Sequence, residues 1–295
     1  MRITFGVTTR NQLNYTKLCL ESFWKQWFNN APKDCFVDFV VADNDSTDGT
    51  VEYIKNLVLL KKEGSLNNYS FTLINMGGNF GTPKSFNTIY KVFDNTKGDY
   101  CFFANNDVVF TENYIQNMLD FHKDFPEAGV FSSTCIDSWK VTPEKWFGDL
   151  KQKEYEPYID SDWEKYAKEF REQDKQTVLD GINACVFAVT RECRDKVGNF
   201  NEDYVIGCYD DCEYCLLTER AGFRVLNTSN AIVFHWGGNT QAAYREEHGN
   251  NSYQQYNKQI FERKFGVNLD AMGARCTRSL FWKPGPDGIN ERVCI

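Results

Sequence analysis

The most informative segment of the chain is Tyr100-Cys101-Phe102-Phe103-Ala104-Asn105-Asn106-Asp107-Val108-Val109-Phe110. Its apolar start predicts a buried strand, which stops at two amides and a carboxylate. In parallel α/β sheets, ligands bind at the carboxyl ends of the strands. Oxygen donors at such an edge suit a divalent cation held against a diphosphate. A polar turn leading into a helix explains the same residues equally well, so the segment alone leaves both interpretations open.

The residues before this segment alternate between strand and helix patterns. Strand-like runs at 3–9, 36–42 and 71–74 each end in a polar cluster. The residues between them carry apolar side chains at helical spacing, namely Leu20, Phe23, Trp24 and Trp27, then Val51, Ile54 and Val58, then Phe86, Ile89, Tyr90 and Phe93. This alternation predicts an α/β fold with a doubly wound, mostly parallel, Rossmann-like sheet flanked by helices.

The sequence of the second half of the chain predicts that the sheet continues and is followed by a C-terminal extension. Strand patterns recur at Gly129–Ser133, Val178–Val189 and Ala231–Phe234. In the second of these, Gly181 permits close approach of another backbone. After Thr240 one helix pattern, at Tyr253–Phe265, precedes an irregular tail.

These patterns predict one large domain over residues 1–240 and a helical and irregular extension over 241–295. Within the domain, residues 1–107 end with the polar end of the central strand, and residues 108–240 follow it. An excursion at 139–177 interrupts the second half. Its aromatic side chains either line an acceptor groove or form a satellite cluster beneath a long loop, and they are Trp139, Trp146, Phe147, Tyr155, Tyr158 and Trp163.

Composition narrows the classes of function. The 295 residues include 33 basic and 41 acidic side chains, for a net charge of −8, which argues against a nucleic-acid partner. No apolar run approaches the ~20 residues that span a bilayer, and the first residues enter a strand without a signal-peptide pattern. We therefore expect a cytoplasmic protein without a transmembrane segment, soluble or peripheral to a membrane. The composition does not set its oligomeric state.

The 11 cysteines fit a reducing compartment. Cys208, Cys212 and Cys215 form the tightest group, but zinc would need a fourth ligand. Cys212, Cys215 and Leu216 follow helical spacing, which favours packing of these thiols in the core.

Four motifs resemble, in order and approximate spacing, those of family 2 glycosyltransferases with the GT-A fold. They are Val40–Thr50, Asn105–Asp107, Tyr209–Leu216 and His235–Gly238. The resemblance extends over roughly residues 3–240. It implies binding of a nucleotide-diphosphate sugar and transfer of its sugar to a hydroxyl group of a glycan or glycoconjugate. The resemblance also implies that residues 1–107 bind the nucleotide sugar and that residues 108–240 face the acceptor.

The resemblance also implies the nucleotide-binding residues, which are Thr8, Thr9, Arg10, Asp43, Gly78, Asn79, Lys84, Asn105 and Asn106. Asp43 is expected to accept a hydrogen bond from a base N–H group. Lys84 either neutralises the diphosphate or is a solvated lysine in the first turn of a helix. Asp48 is expected to cap the helix that follows it.

For the metal, Asp107 resembles the last residue of the family's DxD motif, and His235 resembles a histidine that completes the site. The expected ion is Mn²⁺ or Mg²⁺. Asn105 stands where the motif has its first carboxylate, so an amide replaces one charged ligand. Outside the resemblance, a histidine that follows a strand is commonly structural.

Asp211 is expected to be the catalytic base of an inverting transfer, with Asp210 orienting it or contacting the acceptor. Two acids in the first turn of a helix also interact favourably with its dipole, which is the alternative reading. Rival functions are a sugar nucleotidyltransferase, a non-catalytic glycan-binding module on a degenerate GT-A fold, and a transferase acting on modified DNA, which the negative charge disfavours.

Overall fold

The computed structural model describes residues 1–62, 68–138, 144–147, 161–174, 178–250, 252–285 and 289–295. The strands are β1 Arg2–Thr9, β2 Phe36–Asp43, β3 Tyr69–Asn75, β4 Tyr100–Asn105, β5 Val108–Phe110, β6 Ala128–Asp137, β7 Val178–Asp180, β8 Val186–Thr190, β9 Arg224–His235, β10 Arg275–Thr277, β11 Leu280–Pro284 and β12 Asn290–Arg292. The helices are α1 Leu13–Asn30, α2 Thr50–Lys62, α3 Gly81–Thr96, α4 Tyr114–Asp124, α5 Glu144–Phe147, α6 Ser161–Asp174, α7 Arg191–Val197, α8 Asp210–Arg220, α9 Asn239–His248 and α10 Ser252–Phe265.

The central sheet has the strand order β3-β2-β1-β4-β8-β6-β9-β5, with β7 also paired to β9. Strands β3, β2, β1 and β4 are parallel to one another. The second half is mixed, because β8 runs antiparallel to both β4 and β6 while β6 and β9 are parallel. The predicted α/β sheet flanked by helices is confirmed, and its parallel part brings the ends of β1, β2 and β4 to one edge.

Alternating side chains on the strands build a hydrophobic core on each face of the sheet. Phe102 packs in the core that includes Phe23 and Trp24 of α1, whereas its neighbours Cys101 and Phe103 pack in the core that includes Phe86 and Ile89 of α3. A strand buried on both faces explains the nearly continuous apolar runs of β2 and β4. The helical faces predicted for α1 and α3 are confirmed, since their apolar residues are buried.

Three predicted elements differ from the structure. The run predicted as one strand at Val178–Val189 is split into β7 and β8, and Gly181 between them has a φ of +92°. The last strand of the central sheet, β9, is 12 residues long and starts well before Ala231. The tail predicted to be irregular contains an antiparallel sheet of order β10-β11-β12. The predicted boundary at 240 falls inside α9.

Part of the aromatic excursion forms a satellite core. Trp146, Phe147 and Trp163 are buried together with Phe234 and Trp236. For these three residues the packing interpretation is confirmed, while Trp139, Tyr155 and Tyr158 lie outside the described residues. Among the described helices, none combines the length and apolarity that crossing a membrane requires.

Candidate active site

A cavity of about 550 Å³ opens where β1 and β4 end. Its wall includes six residues predicted from sequence: Thr8, Thr9, Arg10, Asn79, Asn105 and Asn106. Residues 206–208, Tyr244 and Tyr253 close the cavity from the later part of the chain. The volume suits a small organic ligand, since such sites measure about 300–1,000 Å³.

Asn106 fixes the loop that follows β1. Its side-chain nitrogen donates to Thr9 Oγ1 at 3.1 Å, to Thr16 Oγ1 at 2.8 Å and to the Asn11 carbonyl oxygen at 3.4 Å. The loop needs this support because Asn11 and Gln12 both adopt the left-handed conformation, with φ of 56° and 63°. Asn106 therefore lines the cavity and also supports the loop that forms the neighbouring part of its wall.

Asp43 is fully buried at the end of β2 and is outside the cavity wall. Its carboxylate accepts hydrogen bonds from Ser46, at 2.9 Å from the backbone nitrogen and 2.5 Å from Oγ. Asn11 in turn donates its backbone N–H to Ser46 Oγ at 2.6 Å. In the structure Asp43 thus ties the loops after β1 and β2 to each other.

Asp48 accepts a hydrogen bond from the backbone N–H of Thr50, the first residue of α2, as predicted.

Asn44 holds the loop that contains Gly78 and Asn79. Its side chain donates to Ser85 Oγ at 2.9 Å and accepts from the backbone nitrogen of Phe80 at 3.2 Å. The Lys84 ammonium lies 3.7 Å from the centre of the Phe80 ring. Lys84 and Gly78 therefore flank the cavity residue Asn79 without themselves forming the wall.

A strained segment joins the two halves of the site. Ile206, Cys208 and Tyr209 have φ of 64°, 75° and 69°. Such values are uncommon for any residue other than glycine, most of all for the β-branched Ile206, and residues with strained backbones cluster at functional sites. Thr82 donates its backbone N–H to the Ile206 carbonyl oxygen at 2.7 Å. Gly81 makes this contact possible, because a Cβ there would lie 2.7 Å from Ile206 Cα.

The structure brings Asp107 and His235 together. Val108 of β5 is paired with His235 of β9, and Asp107 Oδ1 lies 3.4 Å from His235 Nε2. On the other side of the ring, Nδ1 lies 3.3 Å from Asp137 Oδ1. Burial lowers the pKa of His235, but the charge of Asp107 and hydrogen bonds with Asp107 and Asp137 raise it well above its usual value. The surroundings therefore favour positive charge here, whether a proton or a metal ion.

This donor set fits the divalent ion that the family resemblance implies. Asp107 offers a buried carboxylate, His235 an imidazole and Asn105 an amide at the end of β4. Oxygen and imidazole donors together suit Mn²⁺, whereas Mg²⁺ prefers oxygen alone.

Asp210 and Asp211 begin α8 directly after the strained segment. Asp210 is buried, and its Oδ1 would lie 3.9 Å from a Cβ on Gly207, which lines the cavity. Burial and then the charge of Asp211 raise the pKa of Asp210 to about 8. Asp211 is partly exposed, and its Oδ2 accepts a hydrogen bond from Ser279 Oγ.

Glu213 anchors α8 rather than opening onto the cavity. Its carboxylate pairs with the Lys264 ammonium at 2.8 Å and accepts from the Tyr204 hydroxyl at 2.8 Å. Both contacts attach α8 to its surroundings, and Lys264 belongs to α10.

Sequence reasoning missed four contributors that lie beyond residue 240. Tyr244, Glu246 and Tyr253 line the cavity, and Ser279 contacts Asp211 from the C-terminal sheet. The sequence carries no motif around them, and the Ser279–Asp211 contact spans 68 residues of chain. Nothing short of the tertiary structure places these side chains at the site.

Several solved structures share the fold of this chain. A mannosyltransferase from Pyrobaculum calidifontis, in complex with GDP-Man and Mn²⁺, is 17% identical with a TM-score of 0.54, and the match covers 83% of this chain and 59% of that one. TarS 1-349 from S. aureus with UDP is 16% identical with a TM-score of 0.52, covering 92% and 74%. GalNAc-T7 with UDP, GalNAc and Mn²⁺ is 10% identical with a TM-score of 0.53, covering 80% and 44%.

No curated protein matches the chain in sequence. The family model described as Glycosyl transferase family 2 matches residues 4–193, which is more than half of the 295 residues and includes β1 to β8 with their polar ends. The chain therefore belongs to glycosyl transferase family 2.

Proposed function

We propose that this chain is an inverting glycosyltransferase that moves a sugar from a nucleotide-diphosphate sugar to a hydroxyl group of a glycan or glycoconjugate. The observation that carries the proposal is a cavity of about 550 Å³ whose wall includes Asn106, directly before Asp107, and residues 206–208, which precede Asp210 and Asp211. Asp107 lies beside His235, and the two form a pair that favours a cation. Structures of the same fold with GDP-Man and Mn²⁺, or with UDP, GalNAc and Mn²⁺, support the proposal.

In this proposal the donor lies in the cavity with its nucleoside against Thr8, Thr9 and Arg10. Asp43 supports that end from outside the cavity wall, because it holds the loops after β1 and β2 together. Gly78, Asn79 and Lys84 lie toward the diphosphate, where the Lys84 ammonium offsets negative charge. Asn105 and Asn106 form the floor between the two parts.

Asp107 and His235 would hold the divalent cation, with Asn105 as a neutral neighbour. The bound ion would neutralise charge on the departing nucleoside diphosphate. The protein's own contribution is to keep Asp107 buried and the His235 ring between two carboxylates, so that positive charge is favoured before any donor arrives.

Asp211 is the proposed base. The acceptor hydroxyl oxygen forms a bond to the anomeric carbon, its proton passes to Asp211, and the nucleoside diphosphate leaves from the opposite face with the bonding electron pair. The raised pKa of Asp210 keeps a proton on that residue near neutral pH, so Asp210 is not free to accept the acceptor's proton. Ser279 donates to one oxygen of Asp211 and leaves the other for the acceptor.

A panel of nucleotide sugars tests the proposal. UDP-glucose, UDP-N-acetylglucosamine and GDP-mannose would be incubated with the protein and Mn²⁺, Mg²⁺ or EDTA, and both the melting temperature and released nucleoside diphosphate measured. We expect nucleotide sugars with one particular base to raise the melting temperature most. A ligand at 100 times its Kd stabilises the folded state by about 2.7 kcal/mol, which is enough to detect. Slow release of the matching diphosphate should require the metal.

Two results would contradict the proposal. Pyrophosphate release from a nucleoside triphosphate and a sugar phosphate would identify a nucleotidyltransferase instead. Stable binding of glycans, without hydrolysis or transfer from any nucleotide sugar, would identify a binding module.

A further inference from the structure

Two cysteines from distant parts of the chain meet where the C-terminal sheet contacts α8. Cys212 lies in the first turn of α8 and is buried, whereas Cys276 is the middle residue of β10 and is exposed. Their sulfur atoms lie 2.9 Å apart, although the two positions are 64 apart in the sequence. The sulfurs of a disulfide stand about 2.03–2.05 Å apart, so a movement of less than about 1 Å would bring these two into bonding distance.

The edge strand of the C-terminal sheet has little apolar surface of its own to hold it in place. In the sheet, β11 buries Leu280 and Phe281, whereas all three residues of β10 are exposed. A small sheet needs a hydrophobic face packed on a neighbour to be stable, and β10 adds no buried side chain to that face. A covalent bond between β10 and α8 would supply the attachment that burial does not.

We propose that Cys212 and Cys276 form a reversible disulfide that fastens β10 to α8. The oxidant is a low-molecular-weight disulfide such as glutathione disulfide. The exposed Cys276 loses its proton, and its sulfur attacks one sulfur of the oxidant and releases the first small thiolate. The Cys212 sulfur, after losing its own proton, attacks Cys276 in this mixed disulfide and releases the second thiolate. Two protein thiols are thereby oxidised, and the small disulfide is reduced to two thiols that take up the two protons.

Reversibility follows from the position of Cys276. Exposed disulfides are open to attack by small thiols, so a reductant can restore both cysteines. In a reducing compartment such bonds are transient and respond to the redox state, which agrees with the expectation drawn from the 11 cysteines. Cys294 is the rival partner, because it is exposed and lines the same cavity of about 370 Å³ as Cys212.

The disulfide would act directly beside the contact between Ser279 and Asp211. Asp211 immediately precedes Cys212, and Ser279 follows Cys276 by three residues, so the bond and the contact join the same helix to the same turn. The linked form should therefore hold the Ser279 hydroxyl against Asp211 more firmly. The catalytic meaning of this consequence rests on the proposed function, whereas the disulfide itself does not.

Equilibration in glutathione buffers tests the disulfide. Reduced full-length protein would be held at a series of ratios of glutathione disulfide to glutathione, blocked with N-ethylmaleimide in denaturant, and digested with trypsin without reductant. Trypsin separates the two cysteines, because Arg220 and Arg275 lie between them. We expect the number of free thiols to fall by two from 11 and a peptide pair joined through Cys212 and Cys276 to appear in the mass spectrum. Dithiothreitol should restore the separate peptides.

Cys276→Ser and Cys294→Ser are a matched pair, since each removes one exposed thiol from the C-terminal part of the chain. The joined peptides should disappear in Cys276→Ser and remain in Cys294→Ser. The oxidised wild type should melt about 5 °C above the reduced wild type, because the bond restricts the unfolded chain. Cys276→Ser should lose this increase and Cys294→Ser should keep it.

Three results would overturn the proposal. They are retention of all 11 thiols at the most oxidising ratio, a bond from Cys212 to Cys294 in place of Cys276, and equal melting temperatures of the linked and reduced forms. The measurements need no sugar nucleotide, so the two proposals fail separately. Metal-dependent sugar transfer by a chain that never forms the bond would refute the disulfide alone. A chain that forms the bond and transfers no sugar would refute the proposed function alone.

Discussion

At the scale of single residues, Asp210 and Asp211 show how adjacent carboxylates acquire different properties. Asp210 is buried behind the cavity wall formed by Gly207, whereas Asp211 is partly exposed and bonded to Ser279. Since two like charges this close cannot both remain ionised at low cost, one of them keeps its proton. Burial selects Asp210 for that role.

Asp211→Asn should remove the proposed base without changing the shape of the site. We expect the turnover number for sugar transfer to fall about 10²- to 10⁴-fold, the usual contribution of a general base. The affinity for the nucleoside diphosphate should stay close to that of the wild type, because Asp211 is not part of the cavity wall. Steady-state kinetics and calorimetric titration would measure the two quantities. Full turnover in the variant would exclude Asp211 as the base.

Asp210→Asn should change how stability depends on pH. The pKa of Asp210 is about 8 in the folded chain, against an ordinary value of 3.8, so between these values the folded state holds a proton that the unfolded state lacks. Stability therefore falls as the pH rises through this window, by up to about 1.4 kcal/mol per pH unit. Urea unfolding at pH 5, 6.5 and 8 should show this decline in the wild type and a flatter dependence in Asp210→Asn. Parallel curves would contradict the assignment.

At the scale of elements, the first turn of α3 and the segment before α8 support each other. Gly81 allows the Ile206 backbone to approach, and the Thr82 N–H binds the Ile206 carbonyl oxygen. The contact matters because residues 206–208 line the cavity and lead directly to Asp210. α3 thus holds the strained segment in place.

Gly81→Ala should displace that segment, and Gly77→Ala provides a matched control. Both glycines have left-handed φ values, 76° and 73°, but a Cβ at Gly77 would meet nothing within 4 Å. Each alanine incurs about 1–2 kcal/mol of backbone strain. Gly81→Ala adds overpacking of about 1–3 kcal/mol and should also weaken nucleotide binding and turnover. Chemical unfolding and nucleotide titration would compare the two, and equal effects would exclude a special role for the Gly81–Ile206 contact.

The elements also show why part of the fold could be predicted and part could not. Helices α1 and α3 follow from apolar residues at helical spacing, and β2 and β4 from continuous apolar runs. In these segments the order of apolar residues is sufficient to predict which side chains are buried. Strand β10 could not be found in this way, because all three of its residues are exposed and carry no apolar alternation. The turn after β10 was equally hidden, since its left-handed residues are Arg278 and Ser279 instead of glycines.

The positions of the site residues could likewise be predicted from the sequence, but their contacts could not. The ends of β1, β2 and β4 meet because parallel strands share an edge, so Thr8, Asp43 and Asn105 could be expected near one another. What the side chains do there was harder to predict. Asn106 supports the loop after β1 through partners distant in sequence, such as Thr9. Asp43 is engaged by Ser46, only three residues away, although the sequence motif predicted a base as its partner.

At the scale of the whole molecule, the C-terminal sheet completes the site from outside the segment that the family model matches. The turn between β10 and β11 packs on the central domain, where Ile182 donates its backbone N–H to the Arg278 carbonyl oxygen at 2.9 Å and a Cβ at Gly181 would lie 2.3 Å from that oxygen. The thiols of Cys212 and Cys276 lie 2.9 Å apart, so the sheet also touches α8. These contacts position the buried Ser279 so that its hydroxyl donates a hydrogen bond to Asp211.

Ser279→Gly should therefore lower transfer while leaving the fold nearly unchanged. Glycine accepts the φ of 56° found at Ser279, but it removes the hydroxyl that holds Asp211. We expect the turnover number to fall about 10- to 150-fold, in line with about 1.5–3 kcal/mol for a hydrogen bond to a charged group, with little change in KM. Ser279→Asn, which tolerates this conformation and offers an amide N–H, should restore part of the loss.

Arg278→Gly is the control for that prediction, since it places a glycine in the same turn, at a φ of 51°, and keeps the Ser279 hydroxyl. Its turnover number should stay near that of the wild type, even though the bond from Arg278 Nε to the Asp180 carbonyl oxygen is lost. Equal losses in the two glycine variants would mean that the turn acts through folding alone. A selective loss in Ser279→Gly, with partial rescue by asparagine, would make Ser279 a positioning residue for Asp211, supplied by the C-terminal sheet.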